Sequence, residues 1–202
     1  MIALIDYGAG NLTSVRKAFA AIGASVFVPA SPAEVEPAAA IVVPGVGHFA
    51  ATRALVGEWT DAILARVGEG RPLLGICLGM QWLFEGSDEA PDCPGLGVLA
   101  GRCFRLGRHD EATPVKVPHV GWNSIEMRRE SSMAEGLRTG AQMYFTHSFA
   151  APITSDTVAI TEHGESFAAV VQHGQVAGVQ FHPEKSGEAG LQILRNFVEL
   201  AQ

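Results

Sequence analysis

Cys77 stands where an apolar run meets a helix-favouring segment, with glycine two places before it and two places after it. A Gly-x-Cys-x-Gly pattern at such a junction is typical of a nucleophile elbow, a sharp turn that projects the nucleophilic side chain. Larger side chains at positions 75 and 79 would collide with the turn, so glycine is expected at both. A lone free cysteine is more often an inert core residue, and the two glycines favour the catalytic interpretation.

The helix that follows the cysteine would begin near Leu78. The unpaired amides and positive dipole end of a helix N-terminus favour a thiolate, and an amide there can stabilise an oxyanion. A second oxyanion donor is expected from Pro44-Gly45-Val46-Gly47, where a strand opens into a loop with two glycines. Glycine permits a peptide to flip, so the N–H of Val46 can turn toward a neighbouring site. Taken alone, this loop is simply a strand-to-helix turn. Its position at the carboxyl end of a parallel strand, where ligands bind, favours a role in the site.

A thiolate that attacks acyl groups needs a general acid and base, usually histidine, and a group that orients the imidazole. Seven histidines are present, and His182 ends an apolar strand two residues before Glu184. Residues two apart in an extended chain point to the same side, and Pro183 stiffens the connection. The pattern predicts a Cys-His-Glu triad, although His-Pro-Glu alone also fits a polar turn. A zinc site would need ligands assembled entirely by the fold, so no metal is expected.

Short apolar runs alternate with helical periods up to about residue 86, which is typical of βαβ units and a parallel sheet. Gly, Pro or Asp ends each run. The predicted strands are Ile2 to Ile5, Ser25 to Val28, Ala40 to Val43 and Leu73 to Ile76. The predicted helices are Leu12 to Ile22, Phe49 to Val67 and Leu78 to Glu85.

Beyond Pro91 the sequence consists of short β-favouring segments separated by Gly and Pro. This pattern is more typical of antiparallel than of parallel strands. These segments are Val98 to Leu106, Thr113 to Val117, Asn123 to Met127, Met143 to Phe149, Thr157 to Thr161, Ala168 to Gln172 and Gln175 to Phe181. A terminal helix is predicted over Gly187 to Leu200, with apolar residues at helical spacing.

The 202 residues are 48% hydrophobic, enough for one substantial core, so a single domain over residues 1–202 is expected. The net charge is -7 and the 14 Lys and Arg residues are scattered, which argues against a nucleic-acid partner. Three cysteines cannot all pair, and neither a basic leader nor a long apolar span is present. A cytoplasmic protein without membrane contact is expected.

Three motifs carry a family resemblance: Pro44-Gly45-Val46-Gly47, Gly75-Ile76-Cys77-Leu78-Gly79-Met80-Gln81 and Phe181-His182-Pro183-Glu184-Lys185-Ser186. Together they resemble the class I (triad) glutamine amidotransferases. Three more segments make the chain similar to the glutaminase subunits of imidazole glycerol phosphate synthases, from residue 2 to about 198. They are Ile5-Asp6-Tyr7-Gly8-Ala9-Gly10-Asn11-Leu12, Pro118-His119-Val120-Gly121-Trp122-Asn123 and Tyr144-Phe145-Thr146-His147-Ser148-Phe149.

The resemblance implies a flavodoxin-like α/β fold, with a central, mostly parallel sheet flanked by helices and additional antiparallel strands. It implies that Cys77, His182 and Glu184 form the triad that hydrolyses glutamine to glutamate and ammonia. It also implies a heterodimer with a (β/α)8 cyclase subunit, which would use the ammonia to form imidazole glycerol phosphate and AICAR in histidine biosynthesis. No cofactor is implied.

The resemblance also assigns residues by position. Those matching the glutamine-binding residues are Gly45, Gln81, Glu89, His147, Ser148 and Phe149. Those in segments that would face the cyclase are Asn11, His119, Trp122 and Lys185. The chain departs from the family pattern at Trp82, where leucine is usual, and at Phe149, where tyrosine is common. The second departure removes a side-chain hydroxyl and leaves a backbone contact to glutamine as the alternative.

Three other functions compete with this hypothesis. A different class I amidotransferase, or another thiol hydrolase, would share the elbow. A dinucleotide-binding module is suggested by Gly8-Ala9-Gly10, but the third glycine of that fingerprint and an acid after the second strand are missing. A catalytically silent regulatory subunit is disfavoured by the intact Cys77, His182 and Glu184 set.

Overall fold

A computed structural model describes residues 1–107 and 115–201. Within these ranges the strands are β1 (Ile2–Leu4), β2 (Val26–Phe27), β3 (Ala40–Gly45), β4 (Leu73–Cys77), β5 (Gly86–Ser87), β6 (Arg102–Arg105), β7 (His119–Ser124), β8 (Glu126–Met127), β9 (Gln142–His147), β10 (Phe149–Ala150), β11 (Thr157–Glu162), β12 (Ser166–His173) and β13 (Val176–Val179). The α-helices are α1 (Leu12–Ala21), α2 (Glu58–Gly68), α3 (Leu78–Trp82) and α4 (Gly187–Leu200). Short 3₁₀ helices cover Pro32–Val35, Phe49–Leu55, Ser132–Ala134 and Pro183–Lys185.

The central sheet has eight strands in the order β2-β1-β3-β4-β13-β12-β11-β8. The first five are mutually parallel, and the last three add on in antiparallel fashion. The α/β class with a mostly parallel sheet and additional antiparallel strands is therefore confirmed. Two small sheets, β10-β6-β5 and the antiparallel pair β7-β9, lie outside it.

Successive side chains of the parallel strands point to opposite faces of the sheet and belong to two separate hydrophobic cores. On one face, Leu4, Val42 and Ile76 pack with residues of α1 and α4. On the other face, Ile5, Val43 and Ile63 of α2 belong to the second core. The parallel strands are buried on both faces of the sheet. The parallel register of β3 and β4 places their carboxyl ends beside each other.

Several predicted boundaries were wrong. The helix expected over Phe49 to Val67 is two pieces, because Gly57 has φ 85° and interrupts it. The segment expected over Gln175 to Phe181 pairs antiparallel with β12 but parallel with β4. Residues 115–117 form no strand, and Thr113 and Pro114 lie outside the described residues. The terminal helix begins at Gly187 and ends at Leu200, as predicted.

Candidate active site

The turn between β4 and α3 has the geometry of an elbow. Cys77 has φ 54° and ψ -107°, and it is the only non-glycine residue with positive φ in the described part of the chain. A Cβ at Gly75 would lie 2.5 Å from the carbonyl oxygen of Gly79, and one at Gly79 would overlap the carbonyl oxygen of Val43. The two glycines are therefore required by the close packing of β3, β4 and α3, as the motif predicted.

The thiol of Cys77 lines a pocket of about 300 Å³ at the carboxyl ends of the parallel strands. The lining residues are Gly47, Cys77, Leu78, Gln81, Glu89, Pro118, Thr146, His147, Ser148 and Phe149. Five of the six predicted glutamine-binding residues are in this set. The sixth, Gly45, does not line the pocket and borders a separate narrow space together with Asn11, His182 and Glu184. A larger open depression of about 900 Å³ at residues 127–137 shares no residue with this pocket.

His182 follows β13, so its imidazole lies near the end of the neighbouring strand β4. Its Nδ1 is 2.8 Å from Oε1 of Glu184, and the two side chains are 2% and 1% exposed. Nδ1 donates to the carboxylate, which leaves Nε2 available to exchange protons. This Nε2 atom is buried and has no partner at hydrogen-bonding geometry among the described residues.

Burial alone would lower the pKa of His182, but its interactions with Cys77 and Glu184 outweigh burial and raise that pKa to about 10. This arrangement therefore favours the imidazolium form of His182. The three residues predicted as a triad are thus brought together by the fold, although Cys77 and His182 are more than 100 positions apart.

The two predicted oxyanion donors differ in their present state. Leu78 is the first residue of α3, so its N–H has no partner within the helix. Because α3 has only five residues, the Leu78 N–H itself contributes more to stabilising an oxyanion than the helix dipole does. The N–H of Val46, in contrast, donates to the carbonyl of Ala9 at 2.6 Å, so it is not free to bind an oxyanion.

One backbone carbonyl, that of Phe149, organises the floor of the pocket. It accepts hydrogen bonds from Nε2 of Gln81 at 2.8 Å and from Nδ1 of His147 at 2.8 Å. Both lone pairs of this carbonyl are then in use. The carbonyl of Phe149 therefore anchors two of the predicted glutamine-binding side chains.

The tautomers of two buried histidines follow from that carbonyl. Because Nδ1 of His147 donates to it, Nε2 of His147 accepts from Nδ1 of His119 at 3.1 Å. Nε2 of His119 then accepts from the side-chain amide of Asn123 at 3.3 Å. Burial, with His163 nearby, lowers the pKa of His119 to about 4, and burial with neighbouring histidines lowers that of His147 to about 3. Both rings are neutral at physiological pH.

The residues expected to face a partner are only partly exposed. Asn11 and Lys185 are exposed, and Trp122 is 57% exposed. His119 is only 4% exposed, because odd-numbered residues of β7 point to the more buried face of the β7-β9 pair, where His119 lies opposite His147. The side chain of His119 is thus turned away from solvent, and the expected partner contact of its segment stays a prediction; the outward-facing Val120, which sequence reasoning missed, is 58% exposed.

Three further residues of the site were missed. Gln180 is fully buried, and its Nε2 lies 3.7 Å from the Cys77 sulfur. The carbonyl of Thr146 lies 4.0 Å from the same sulfur. The hydroxyl of Tyr7 is buried without a hydrogen-bond partner in the described residues, and burial, then Cys77, raises its pKa. Tyr7 and Thr146 stand in segments that the motifs already included, whereas Gln180 gave no local signal of a contact with Cys77.

Comparison with known proteins agrees with this geometry. The family model described as glutamine amidotransferase class-I matches residues 3–201. The chain is 43% identical over 201 residues to the imidazole glycerol phosphate synthase subunit HisH of Methanothermobacter thermautotrophicus, covering 99% of this chain and 98% of that protein. The chain belongs to the HisH family of class I glutamine amidotransferases.

Other members of this amidotransferase family support the assignment. The HisH subunit of Thermococcus kodakarensis is 43% identical over 206 residues, covering 99% of this chain and 100% of that protein. Among solved structures, a crystal structure of a glutamine amidotransferase superposes with a TM-score of 0.75 at 22% identity, covering 100% of this chain and 99% of that one. PurLQS from Thermotoga maritima gives 0.74 at 17% identity, covering 100% and 98%. These two structures show the shared fold.

The described residues also bear on metal binding and on membrane-spanning helices. They contain no group of three or more His, Cys, Asp or Glu side chains arranged to bind a metal ion. No helix among them is long and apolar enough to cross a membrane.

Proposed function

We propose that this chain is the glutaminase subunit of a cytoplasmic imidazole glycerol phosphate synthase, with residues 1–202 forming one amidotransferase domain. It hydrolyses glutamine and passes ammonia to a (β/α)8 cyclase subunit, which forms imidazole glycerol phosphate and AICAR in histidine biosynthesis. The observation that carries the proposal is a strained Cys77 at the floor of a pocket, beside a buried His182–Glu184 pair.

In the proposed chemistry, the Cys77 thiolate attacks the side-chain amide carbon of glutamine, and the amides of Leu78 and Val46 hold the oxyanion. His182 protonates the departing nitrogen from Nε2, and ammonia leaves. His182 then takes a proton from water, which hydrolyses the thioester and releases glutamate. Glu184 keeps the Nδ1 proton in place throughout, as its 2.8 Å contact indicates.

Substrate positioning uses the groups that the protein leaves open. One carboxylate oxygen of Glu89 accepts from the N–H of Phe49 at 2.7 Å, which orients the other oxygen for the ammonium group of glutamine. The amide nitrogen of Gln81 is fully used inside the protein, so its oxygen is the atom available to substrate. His147, Ser148 and Gly47 of the loop Pro44 to Gly47 line other parts of the pocket.

The contact between Val46 and Ala9 supports regulation by the partner. The loop Pro44 to Gly47 lacks its oxyanion donor while Val46 bonds to Ala9. Loss of one such donor costs roughly a hundredfold or more in rate, so a peptide flip triggered by a loaded cyclase would switch the glutaminase on. Free ammonia would be protonated in bulk water, which favours delivery through a shielded path.

Glutamate release tests the proposal when it is measured with the cyclase subunit, with and without the cyclase's nucleotide substrate. We expect at least about tenfold stimulation, equivalent to about 1.4 kcal/mol of barrier. Cys77→Ala should abolish glutamine-dependent synthesis and leave ammonia-dependent synthesis intact, whereas Cys93→Ser, a buried thiol that does not line the pocket, should retain both activities. Unchanged glutamine-dependent synthesis in Cys77→Ala would mean a silent regulatory subunit.

A further inference from the structure

The Cys77 sulfur has a neighbour that the triad does not account for. Gln180 lies in the turn after β13, is fully buried, and places its Nε2 atom 3.7 Å from the sulfur. This distance suits an N–H donor to sulfur, whose acceptor radius is larger than that of oxygen. The residue does not line the glutamine pocket, so it reaches the nucleophile from the protein interior.

The orientation of the Gln180 amide is fixed by a chain of donors that begins at the Phe149 carbonyl. A carbonyl can only accept, so the amide nitrogen of Gln81 must face it. The second hydrogen of that nitrogen points to Oε1 of Gln180 at 3.2 Å. With its oxygen facing Gln81, Gln180 must present its nitrogen to the sulfur.

We propose that Gln180 is a catalytic residue whose side-chain amide donates a hydrogen bond to the Cys77 thiolate, with Gln81 and the Phe149 carbonyl holding it in that orientation. When the thiol proton passes to Nε2 of His182, the sulfur gains a negative charge in a site that is almost closed to water. The Gln180 N–H stabilises that charge and holds the sulfur toward the pocket. This inference rests on the proposed role of Cys77 as the nucleophile.

The amide also explains why a glutamine is buried at this position. A buried amide with only one of its ends satisfied would cost free energy, and here the oxygen bonds to Gln81 and the nitrogen to sulfur. The titratable groups that interact with the sulfur are His182, with Glu184 behind it, and Tyr7. None of these groups can take the place of the neutral N–H donor that Gln180 directs at the sulfur.

The test is the pH profile of iodoacetamide alkylation at Cys77, measured on the full chain with the modified peptide identified by mass. Gln180→Met removes the donor and keeps a long side chain. Gln180→Glu keeps the shape and replaces the donor with an acceptor. We expect alkylation near neutral pH to slow roughly tenfold in each variant, because the thiolate fraction falls, and to recover at alkaline pH. Gln175→Glu, in the exposed turn before β13, should match the unmodified chain.

Steady-state kinetics of glutamate release with the partner subunit complete the test. The kcat should fall roughly tenfold or more in Gln180→Glu while KM stays within about twofold, since this variant keeps an acceptor oxygen for the Gln81 amide and changes only the group that faces the reacting sulfur. Wild-type alkylation and kcat in both Gln180 variants would overturn the inference and leave the triad standing. Full glutamine-dependent activity in Cys77→Ala would instead overturn the proposed function itself, so the two failures are distinguishable.

Discussion

His182 and Glu184 form a buried ion pair, with Nδ1 of the imidazole 2.8 Å from a carboxylate oxygen. Both side chains are removed from water, so their interaction is screened far less than a surface ion pair would be. The pair orients the imidazole and also favours its charged form. The proposed catalysis and the pH dependence of stability are therefore linked through the same two residues.

Replacing Glu184 by Gln should lower the pKa of His182 from about 10 toward its ordinary value of 6.5. A raised folded-state pKa stabilises the protein fully below about pH 6.5, and the stabilisation is lost as pH rises through about 10. The difference in free energy of unfolding between wild type and Glu184→Gln should thus be largest near pH 6 and shrink toward pH 10. Urea unfolding over this range measures it, and a parallel offset at every pH would contradict the assignment.

For His119 of β7 and His147 of β9 we expect the opposite pH dependence of the free energy of unfolding from that of the His182–Glu184 pair. Their pKa values are lowered to about 4 for His119 and about 3 for His147, below the ordinary 6.5, so the unfolded chain binds protons first as the solution is acidified. The free energy of unfolding should fall from about pH 6.5 downward. His119→Phe, which keeps the stacking against Phe145, should make that fall shallower. Denaturant unfolding between pH 7 and 4 checks this, and an identical slope in the variant would count against it.

At the residue scale, the sequence predicts contacts that depend on local spacing and misses those that depend on the fold. His182 and Glu184 are two positions apart, and their side chains do meet, although a short 3₁₀ helix over Pro183–Lys185 brings them together and not the extended backbone that the spacing argument assumed. The bond between Gln180 and Cys77 joins residues 103 positions apart. It exists because β13 lies beside β4, and no spacing along the chain contains that information.

At the scale of elements, the elbow depends on how closely α3 approaches the strand β3. A Cβ added at Gly79 would lie 2.8 Å from the carbonyl carbon of Val43 and would overlap its oxygen. Backbone atoms in a central strand cannot move aside without disturbing the whole sheet. The helix must therefore shift if the glycine is replaced.

Gly79→Ala should lower the free energy of unfolding by about 1–3 kcal/mol, as overpacking of a close contact does, and should reduce glutaminase activity by moving the Leu78 amide. The matched control is Gly68→Ala at the end of α2, where an added Cβ meets nothing within 4 Å. That variant should be neutral or more stable by up to about 1 kcal/mol. Urea denaturation midpoints compare the two, and equal stability would show that α3 has room to adjust.

The elements themselves were predicted best where one local rule decides them. The four strands of the first half are runs of apolar residues, and all four form where expected. The helix expected over residues 49–67 failed because one glycine with φ 85° outweighed a helical apolar period. Strand order was not predictable, since β13 reaches the parallel part of the sheet only through contacts distant in sequence.

On the scale of the whole molecule, the site lies next to an exposed aromatic patch formed by Val120, Trp122, Tyr144 and Lys185. The Trp122 and Tyr144 rings meet edge to face at 6.0 Å, and the Lys185 ammonium lies 5.7 Å from the Tyr144 ring centre. The patch is tied to the triad because the N–H of His182 donates to the Tyr144 carbonyl at 2.9 Å. A partner that covers the patch would therefore lie next to the strand that holds the His182 backbone.

Trp122→Ala should weaken binding of the proposed cyclase subunit by about 2 kcal/mol, roughly thirtyfold in Kd, because a large aromatic in the proposed interface would be a typical hot spot. The isolated chain should keep its own stability, since Trp122 is 57% exposed there. Ile153→Ala replaces an apolar residue that is 49% exposed and outside the patch, so it should leave Kd unchanged. Isothermal titration with the cyclase measures both variants. If Trp122→Ala bound like wild type, the cyclase would have to dock on a surface other than the one beside His182.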